Sequence, residues 1–138
     1  MSAAFHKTLG RNVAEAVTLG SEVKEFLERS GASGRAIYKV RLALEEMVLN
    51  LIDHATGSLT QRIDVRVDVE PERVVIVIED DGDPFDIRSA PEFDKSRPLE
   101  ERRPRGMGIQ LVRSLADEIH YERLHSRNRL RLTVSAER

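Results

Sequence analysis

The amino-acid sequence predicts an α+β fold, a two-layer sandwich in which helices cover one face of a mainly antiparallel sheet. Apolar residues recur at intervals of three and four before residue 57 and alternate with polar residues after residue 62. Helices and strands are therefore largely segregated along the chain, which is typical of two-layer α+β domains. Because 138 residues are one domain's worth, we expect a single domain over residues 1–138.

Two helices are predicted in the first part of the chain, after a short edge strand at Phe5–Leu9. Asn12 is a suitable N-cap for the first helix, and Gly31 supplies the left-handed residue that ends it. The second helix begins near Ser33 and ends near Gly57. Its apolar stripe comprises Ile37, Val40, Leu44, Met47 and Leu51.

Four strands and a third helix are predicted in the rest of the chain. Residues 63–69 alternate between apolar and charged, and Val74–Ile78 is a β-branched run, so together they indicate an antiparallel hairpin. A helix from Met107 to about Asp117 follows a long loop. The last two strands are expected at Ile119–Leu124 and Arg129–Val134.

Composition excludes several classes of function. The net charge is −2 and basic residues are interleaved with acidic ones, which argues against a nucleic-acid partner. There is no cysteine, so disulfides and thiolate metal sites are excluded. No apolar run reaches the roughly 20 residues of a membrane span, and the first residues lack the apolar stretch of a signal peptide. We therefore expect a cytoplasmic protein without a membrane partner.

The second predicted helix carries polar residues on one face. Glu46, Asn50 and His54 lie four residues apart. The amide oxygen of Asn50 is a hard neutral ligand suited to magnesium, and the carboxylate of Glu46 can orient or deprotonate a hydroxyl. Glu45 is five residues from Asn50 and points further round the helix, so the spacing selects Glu46. A solvated helix face has the same spacing, and His54 also fits a packing or capping role.

Two glycine-containing segments are candidates for ligand contacts. In EDDGDPFD, residues 79–86, an acid at a strand end precedes a glycine, and a buried carboxylate there can accept a hydrogen bond from an amine such as that of adenine. In RGMGIQLV, residues 105–112, Gly106 and Gly108 are predicted to precede a helix, which is a common arrangement for binding phosphate. An ordinary acidic turn explains the first segment equally simply. Neither a P-loop nor a dinucleotide fingerprint is present.

The loop between these segments holds four prolines and many charges over residues 80–105. A loop of that length inside a compact domain is more often functional than not. We expect Pro84–Arg105 to form a lid. Arg102, Arg103 and Arg105 either reach phosphates when the lid closes or remain solvated.

Three segments in this order resemble the motifs of the GHKL superfamily of Bergerat-fold ATPases. ALEEMVLNLIDHA resembles its N box, IEDDGDPFD its first glycine box and RGMGIQLVRSLADEIHYE its second. The likeness is closest to the anti-sigma-factor serine/threonine kinases and their stand-alone ATP-binding relatives. It extends from the second helix to the last strand.

This resemblance implies a role for each matching residue. Glu46 matches the general base, Asn50 the magnesium ligand and Asp80 the aspartate that holds the adenine amine. Gly106 and Gly108 match the glycines that close on the phosphates. The nucleotide contacts implied in this way are Asn50, Asp80, Gly82, Arg105, Gly106, Met107, Gly108 and Ile109.

The implied activity is transfer of the γ-phosphoryl group of ATP, with Mg²⁺, to a serine or threonine of a small antagonist protein. The resemblance also implies a sigma factor as a second protein partner, and a homodimer. The alternative is an ATP-dependent protein-interaction module with little or no kinase activity.

The sequence departs from the family pattern at two places. Pro84 stands where the first glycine box usually has its second glycine, so contacts near it are expected to differ. Asn128 and Arg129 stand where many members have Gly-Thr, which leaves the threonine of the adenine site unassigned.

Overall fold

The computed structural model describes residues 3–52, 60–89 and 104–136. Within these residues a five-stranded antiparallel sheet and three α-helices confirm the predicted α+β class. The elements are β1 Ala3–Gly10, α1 Val13–Arg29, α2 Gly34–Ile52, β2 Arg62–Val69, β3 Arg73–Asp80, a short 3₁₀ helix Ile87–Ser89, α3 Pro104–Leu115, β4 Glu118–Leu124 and β5 Arg127–Ser135.

The strand order in the sheet is β1-β2-β3-β5-β4. The β2–β3 hairpin pairs as predicted, whereas β5 is inserted between β3 and β4. In this register Asp80, the last residue of β3, lies opposite Asn128 near the start of β5. The C-terminal end of β3 and the N-terminal end of β5 therefore lie side by side at the same end of the sheet.

The predicted start and end of the first helix and the predicted start of the second are confirmed. The Asn12 carboxamide oxygen accepts the backbone N–H of Ala14 at 2.8 Å. Gly31, with φ 79°, terminates α1 in the left-handed conformation that glycine adopts without strain. The Ser33 hydroxyl accepts a backbone N–H from the first turn of α2 at 3.1 Å. The predicted end of the second helix near Gly57 lies outside the described residues.

The core lies between the helices and one face of the sheet. Every second residue of β2 is buried, beginning at Ile63, so the predicted alternation is confirmed. Phe5 of β1 packs against Phe26 of α1 with ring centroids 5.7 Å apart. Burial of this apolar face supplies most of the driving force for folding. The largest fully buried side chains include Leu9, Leu19, Leu27, Leu44, Ile63, Ile76, Ile78 and Leu132.

The opposite face of the sheet is polar and carries ion pairs between strands. Arg127 of β5 pairs with Asp64 of β2, and Arg129 lies 3.7 Å from Glu79 of β3. The Arg127–Asp64 pair is partly buried, whereas a more exposed pair such as Arg129–Glu79 contributes little to stability by itself. No helix in the described part of the chain is both long and apolar enough to cross a membrane.

Two expectations about element boundaries are wrong. The third helix begins at Pro104 and not at Met107, so Gly106 and Gly108 lie inside α3 and do not precede it. Proline has φ fixed near the helical value and no N–H to leave unpaired, which favours it at the first helical position. Gly106 is the third residue of α3, so its N–H still belongs to the first turn, which has no partner within the helix. The N-terminal strand, Ala3–Gly10, is also longer than predicted.

Candidate functional site

Asp80 is the buried carboxylate of the candidate site. Alternation along β3 turns it toward the helical layer, where only 3% of the residue is exposed. Its Oδ2 accepts hydrogen bonds from the Gly82 N–H at 3.1 Å, the Thr60 hydroxyl at 3.3 Å and Nδ2 of Asn128 at 3.2 Å. Its Oδ1 accepts from the same Asn128 amide at 3.1 Å. Three groups of the protein thus fix the orientation of this carboxylate.

The two oxygens of Asp80 differ in how many donors they receive. Among the described residues, Oδ2 has three donors whereas Oδ1 has the Asn128 amide alone. Burial raises the pKa of Asp80, and the hydrogen bonds from Gly82, Asn128 and Thr60 oppose that increase. A carboxylate oxygen accepts more than one hydrogen bond. Oδ1 therefore has the remaining acceptor capacity for an N–H group such as the adenine amine.

Asp81 has a different task from that of its neighbour. Its exposed side chain accepts the backbone N–H groups of Gln61 at 2.8 Å and Arg62 at 3.0 Å. Desolvation raises the pKa of Asp81, but these backbone hydrogen bonds outweigh it and the pKa is lowered. Asp81 therefore holds the backbone at the start of β2. Asp80 is the carboxylate that is buried inside the fold and available to bind a ligand.

The turn that follows β3 is held by side chains of β4 and β5. Nδ2 of Asn128 donates to the carbonyl oxygen of Asp83 at 2.7 Å. Nη1 of Arg123 donates to the carbonyl oxygen of Gly82 at 2.9 Å. Pro84, which replaces the expected glycine, has no N–H to donate, and these side-chain contacts anchor the turn immediately before it.

Glu46 and Asn50 lie one turn apart on α2, which packs against α3, β3 and β5. Asn50 is 4% exposed and Glu46 is partly buried. A Cβ atom on Gly108 of α3 would lie 2.2 Å from Oε2 of Glu46. Since real Cβ atoms essentially never come that close, a side chain at position 108 would require the carboxylate of Glu46 to move. The predicted general base and the second glycine of the box are thus direct neighbours.

The structure brings some predicted residues together and leaves others apart or outside its range. Gly82 lies beside Asp80, as expected. Ile109 is buried in the apolar core, so its side chain is not available and only its backbone can contact a ligand. Arg105, Gly106 and Met107 are placed as backbone at the start of α3. Three further predicted positions lie outside the described residues: His54, Arg102 and Arg103.

The donor set near Asn50 fits magnesium only in the company of a nucleotide. Among the described residues, no three histidines or acidic residues are grouped so that they could hold a metal ion. Magnesium in proteins commonly has one or two protein ligands and completes its shell with phosphate oxygens and water. Asn50 therefore suits a metal that arrives with ATP.

Four residues of the site were given no role by the sequence analysis: Thr60, Tyr121, Arg123 and Asn128. Thr60 and Asn128 bond to Asp80 directly, and the hydroxyl of Tyr121 donates to the carboxamide oxygen of Asn128. The signal that finds Asn128 is the pairing of β3 with β5. That register places it opposite Asp80 although the two residues are 48 positions apart.

Comparison with known proteins places the chain in a family. Residues 11–134 match the histidine kinase-like ATPase domain. The chain belongs to the histidine kinase-like ATPase family. Membership implies that this histidine kinase-like ATPase domain uses ATP, as the motifs predicted.

The sequence is also similar to individual curated proteins, of which two serve as examples. The serine-protein kinase RsbW of Staphylococcus aureus strain MSSA476 is 30% identical over 97 residues, which cover 66% of this chain and 61% of the relative. The protein of the same name from strain JH9 gives the same identity and coverage. The match thus spans about three fifths of the length of these curated relatives.

A solved structure supports the fold. The crystal structure of the RsbU and RsbW domains of a Mycobacterium tuberculosis protein superimposes with a TM-score of 0.66 at 18% identity. The superposition covers 98% of this chain and 33% of that one. At this identity the likeness establishes the architecture of the histidine kinase-like ATPase domain and nothing about its partners.

Proposed function

We propose that this histidine kinase-like ATPase domain is a protein serine/threonine kinase that phosphorylates a small antagonist protein. The observation that carries the proposal is the arrangement of two carboxylates. Asp80 is buried, with acceptor capacity left on Oδ1, while Glu46 lies beside Gly108 near the start of α3. The carboxylate of Asp80 is suited to bind the adenine base of ATP, and the carboxylate of Glu46 is suited to accept a proton.

The proposed nucleotide contacts divide between the sheet and the helices. Asp80 accepts a hydrogen bond from the adenine amine at the end of β3. The N–H of Gly106, in the first turn of α3, points in the direction in which helix N-termini bind phosphate. Asn50 contributes its amide oxygen to Mg²⁺, which supplies charge neutralisation to the phosphates when it is bound.

The proposed chemistry assigns the proton to Glu46. The acceptor hydroxyl oxygen forms a bond to the γ-phosphorus as the bond to the bridging oxygen breaks, and ADP leaves. The hydroxyl proton passes to the carboxylate of Glu46. Catalysis of this kind depends mainly on positioning and charge stabilisation, so the close packing of Glu46 on Gly108 bears directly on the rate.

The proposal extends to partners and assembly. The antagonist protein is the phosphate acceptor, and a sigma factor binds to a separate surface of a cytoplasmic homodimer of this single domain. Val13 and Val17 on α1 are 56% and 66% exposed, one turn apart on the same face. An apolar pair exposed to this extent supports an interface at that end of α1.

The second candidate function is an ATP-dependent interaction module with little or no kinase activity. The observation that favours it is the same contact between Glu46 and Gly108. The carboxylate of Glu46 is pressed against α3, so part of its surface is not open to an incoming hydroxyl.

Partner capture followed by phosphosite mapping separates the two functions. The chain is used to capture proteins from its host in the presence of ATP or ADP with Mg²⁺, and the captured proteins are analysed for phosphoserine and phosphothreonine. A captured protein that gains phosphate with ATP and not with ADP supports the kinase. Nucleotide-dependent capture without phosphate on any partner rejects the kinase and supports the interaction module.

A further inference from the structure

Asn128 is the most highly connected polar residue in the described part of the site. It is 4% exposed and contacts three segments: β3, the turn after it, and β4. Its Nδ2 donates to both carboxylate oxygens of Asp80 and to the carbonyl oxygen of Asp83. Its Oδ1 accepts from Tyr121, from Arg123 at 3.1 Å and from the Phe85 N–H at 3.4 Å.

These partners determine which way the carboxamide points. Carboxylate and carbonyl oxygens can only accept, so they must face the NH₂ group. A guanidinium and a backbone N–H can only donate, so they must face the oxygen. Every partner except the Tyr121 hydroxyl, which can donate or accept, is thus compatible with one orientation and incompatible with the reverse. The amide of Asn128 is locked between a cation on β4 and the carboxylate on β3.

We propose that Asn128 is the positioning residue that makes this site selective for a purine bearing an amine, because it keeps Asp80 oriented with acceptor capacity left on Oδ1. The proposal rests on the ATP binding described above and goes beyond it by assigning base selectivity to a residue of β5. Asn128 need not touch the nucleotide, since it acts through Asp80.

The physical basis is the charge state of a buried carboxyl group. Burial raises the pKa of Asp80, and the Asn128 hydrogen bonds are among the contacts that oppose this increase. Without the NH₂ group the carboxyl binds a proton more readily. A protonated carboxyl then presents a donor to the adenine amine, which is itself a donor. Selectivity for the amine is lost although the shape of the pocket is retained.

Among the described residues, few ionisable groups surround this pair. Tyr121 and Arg123 approach from β4 and face the oxygen of Asn128. Asp81 follows in the chain and raises the pKa of Asp80 through its negative charge. Thr60, from the segment before β2, contributes a neutral hydroxyl. The Asp80–Asn128 pair therefore dominates any change in nucleotide affinity with pH that a substitution of Asn128 introduces.

The experiment measures the affinity of the whole chain for two nucleotides as a function of pH. ATP is compared with purine riboside triphosphate, which lacks the 6-amino group. Two variants are used: Asn128→Leu, which removes the donors, and Asn128→Asp, which keeps the shape and the acceptor. Thr133→Val, a buried polar residue on the same strand, is the matched control.

The wild type should prefer ATP roughly tenfold, since a lost hydrogen bond to a charged group leaves its partner unsatisfied. In Asn128→Leu the preference should shrink as the pH is lowered, because Asp80 takes up a proton more readily and ATP affinity falls. In Asn128→Asp the slope should be the reverse: lowering the pH should restore ATP affinity, because two facing carboxylates share a proton and one of them donates again. If the role of Asn128 were merely structural, both substitutions would weaken the binding of both nucleotides equally. The dependence of ATP affinity on pH would then have the same sign in the two variants.

The outcomes separate the two levels of the proposal. If the wild type binds neither nucleotide, the proposed function fails together with the role of Asn128. If the wild type prefers ATP and both Asn128 variants keep that preference at every pH, only the role of Asn128 is rejected. Should Asn128→Leu fail to fold, the role of Asn128 is tested by comparing how ATP affinity changes with pH in Asn128→Asp and in Thr133→Val.

Discussion

The corner around Asp80 and the contact between Glu46 and Gly108 are built in opposite ways. Hydrogen bonds from the segment before β2, from the turn after β3 and from β5 fix Asp80. The position of Glu46 depends on a missing side chain, since no Cβ fits on Gly108 beside it. The residues proposed to bind the adenine base are therefore positioned by the sheet, whereas the proposed catalytic residue Glu46 is positioned by how α3 packs on α2. Binding and chemistry should respond separately to mutation.

The largest effect should follow Glu46→Gln. Glutamine keeps the shape and one acceptor oxygen but cannot take a proton, so phosphoryl transfer should fall roughly 10²–10⁴-fold. ATP affinity, measured by calorimetry, should be unchanged because the Asp80 corner is untouched. The matched control is Glu45→Gln on the exposed face of the same helix. Wild-type transfer rates in Glu46→Gln would show that another group takes the proton.

The second prediction concerns Asp80 and the base. Guanine presents a carbonyl oxygen where adenine has an amine, so an ionised Asp80 should prefer ATP over GTP by about 1–3 kcal/mol. In Asp80→Asn the amide offers a donor as well, and the preference should shrink toward zero. Asp81→Asn should keep it, because Asp81 faces the start of β2. Competition binding with the two nucleotides measures the difference, and equal affinities in the wild type would contradict the assignment.

The third prediction tests the packing of α3 on α2. Replacing a glycine by alanine within a helix ordinarily stabilises it by about 1 kcal/mol. Gly20→Ala should do so, since the nearest atom, on Arg41, lies 4.0 Å from the added Cβ. Gly108→Ala should gain less or be destabilising, because the Cβ displaces Glu46, and transfer should slow as well.

A double mutant identifies the cause of that difference. In a Glu46→Ala background the obstruction is gone, so Gly108→Ala should recover the stabilisation seen at Gly20. Denaturant unfolding of the single and double variants gives the coupling free energy. Additive effects would mean that the contact with Glu46 does not determine the need for glycine.

The smallest effect is expected for Asp81→Ala. The folded-state pKa of Asp81 is lowered from its ordinary value of 3.8, so its contribution is present above that pH and lost as the pH falls through the folded-state pKa. Because the group is exposed, the loss in unfolding free energy at neutral pH should stay below about 1 kcal/mol. The difference from wild type should vanish in acid. Asp83→Ala, also exposed in this turn, is the control. A difference that persists below the folded-state pKa would contradict the hydrogen-bonding role.

Local chemistry predicted the parts of the fold that depend on neighbours in the sequence. The N-cap at Asn12, the left-handed Gly31 and the alternation along β2 each follow from a few adjacent residues. Four-residue spacing placed Glu46 and Asn50 on one helix face but fitted a solvated face equally, and the resemblance to the GHKL motifs made them candidates. The strand end before a glycine indicated an acidic site there, and the same resemblance selected Asp80 over Asp81.

The remainder depends on tertiary contacts that spacing cannot supply. Asn128 enters the site only because β5 lies between β3 and β4, and strand order is not encoded in any short pattern. The prediction for Gly108 placed it before a helix, whereas the structure places it within α3 against Glu46. Pro104 is the signal for the earlier helix start, because proline is favoured at the first helical position.

The position of β5 has a consequence for how the molecule assembles. Although β5 is the last described strand in the sequence, it occupies a central place in the sheet and supplies Asn128. During synthesis the residues up to Leu124 therefore emerge before β5. One side of β3 then has unpaired N–H and C=O groups, with which another strand can pair incorrectly. Long-range pairing of this kind is slow, so the nascent chain should need protection until residues 127–135 have left the ribosome. Nucleotide capture by a chain still being made would accordingly mark the moment at which its sheet is completed.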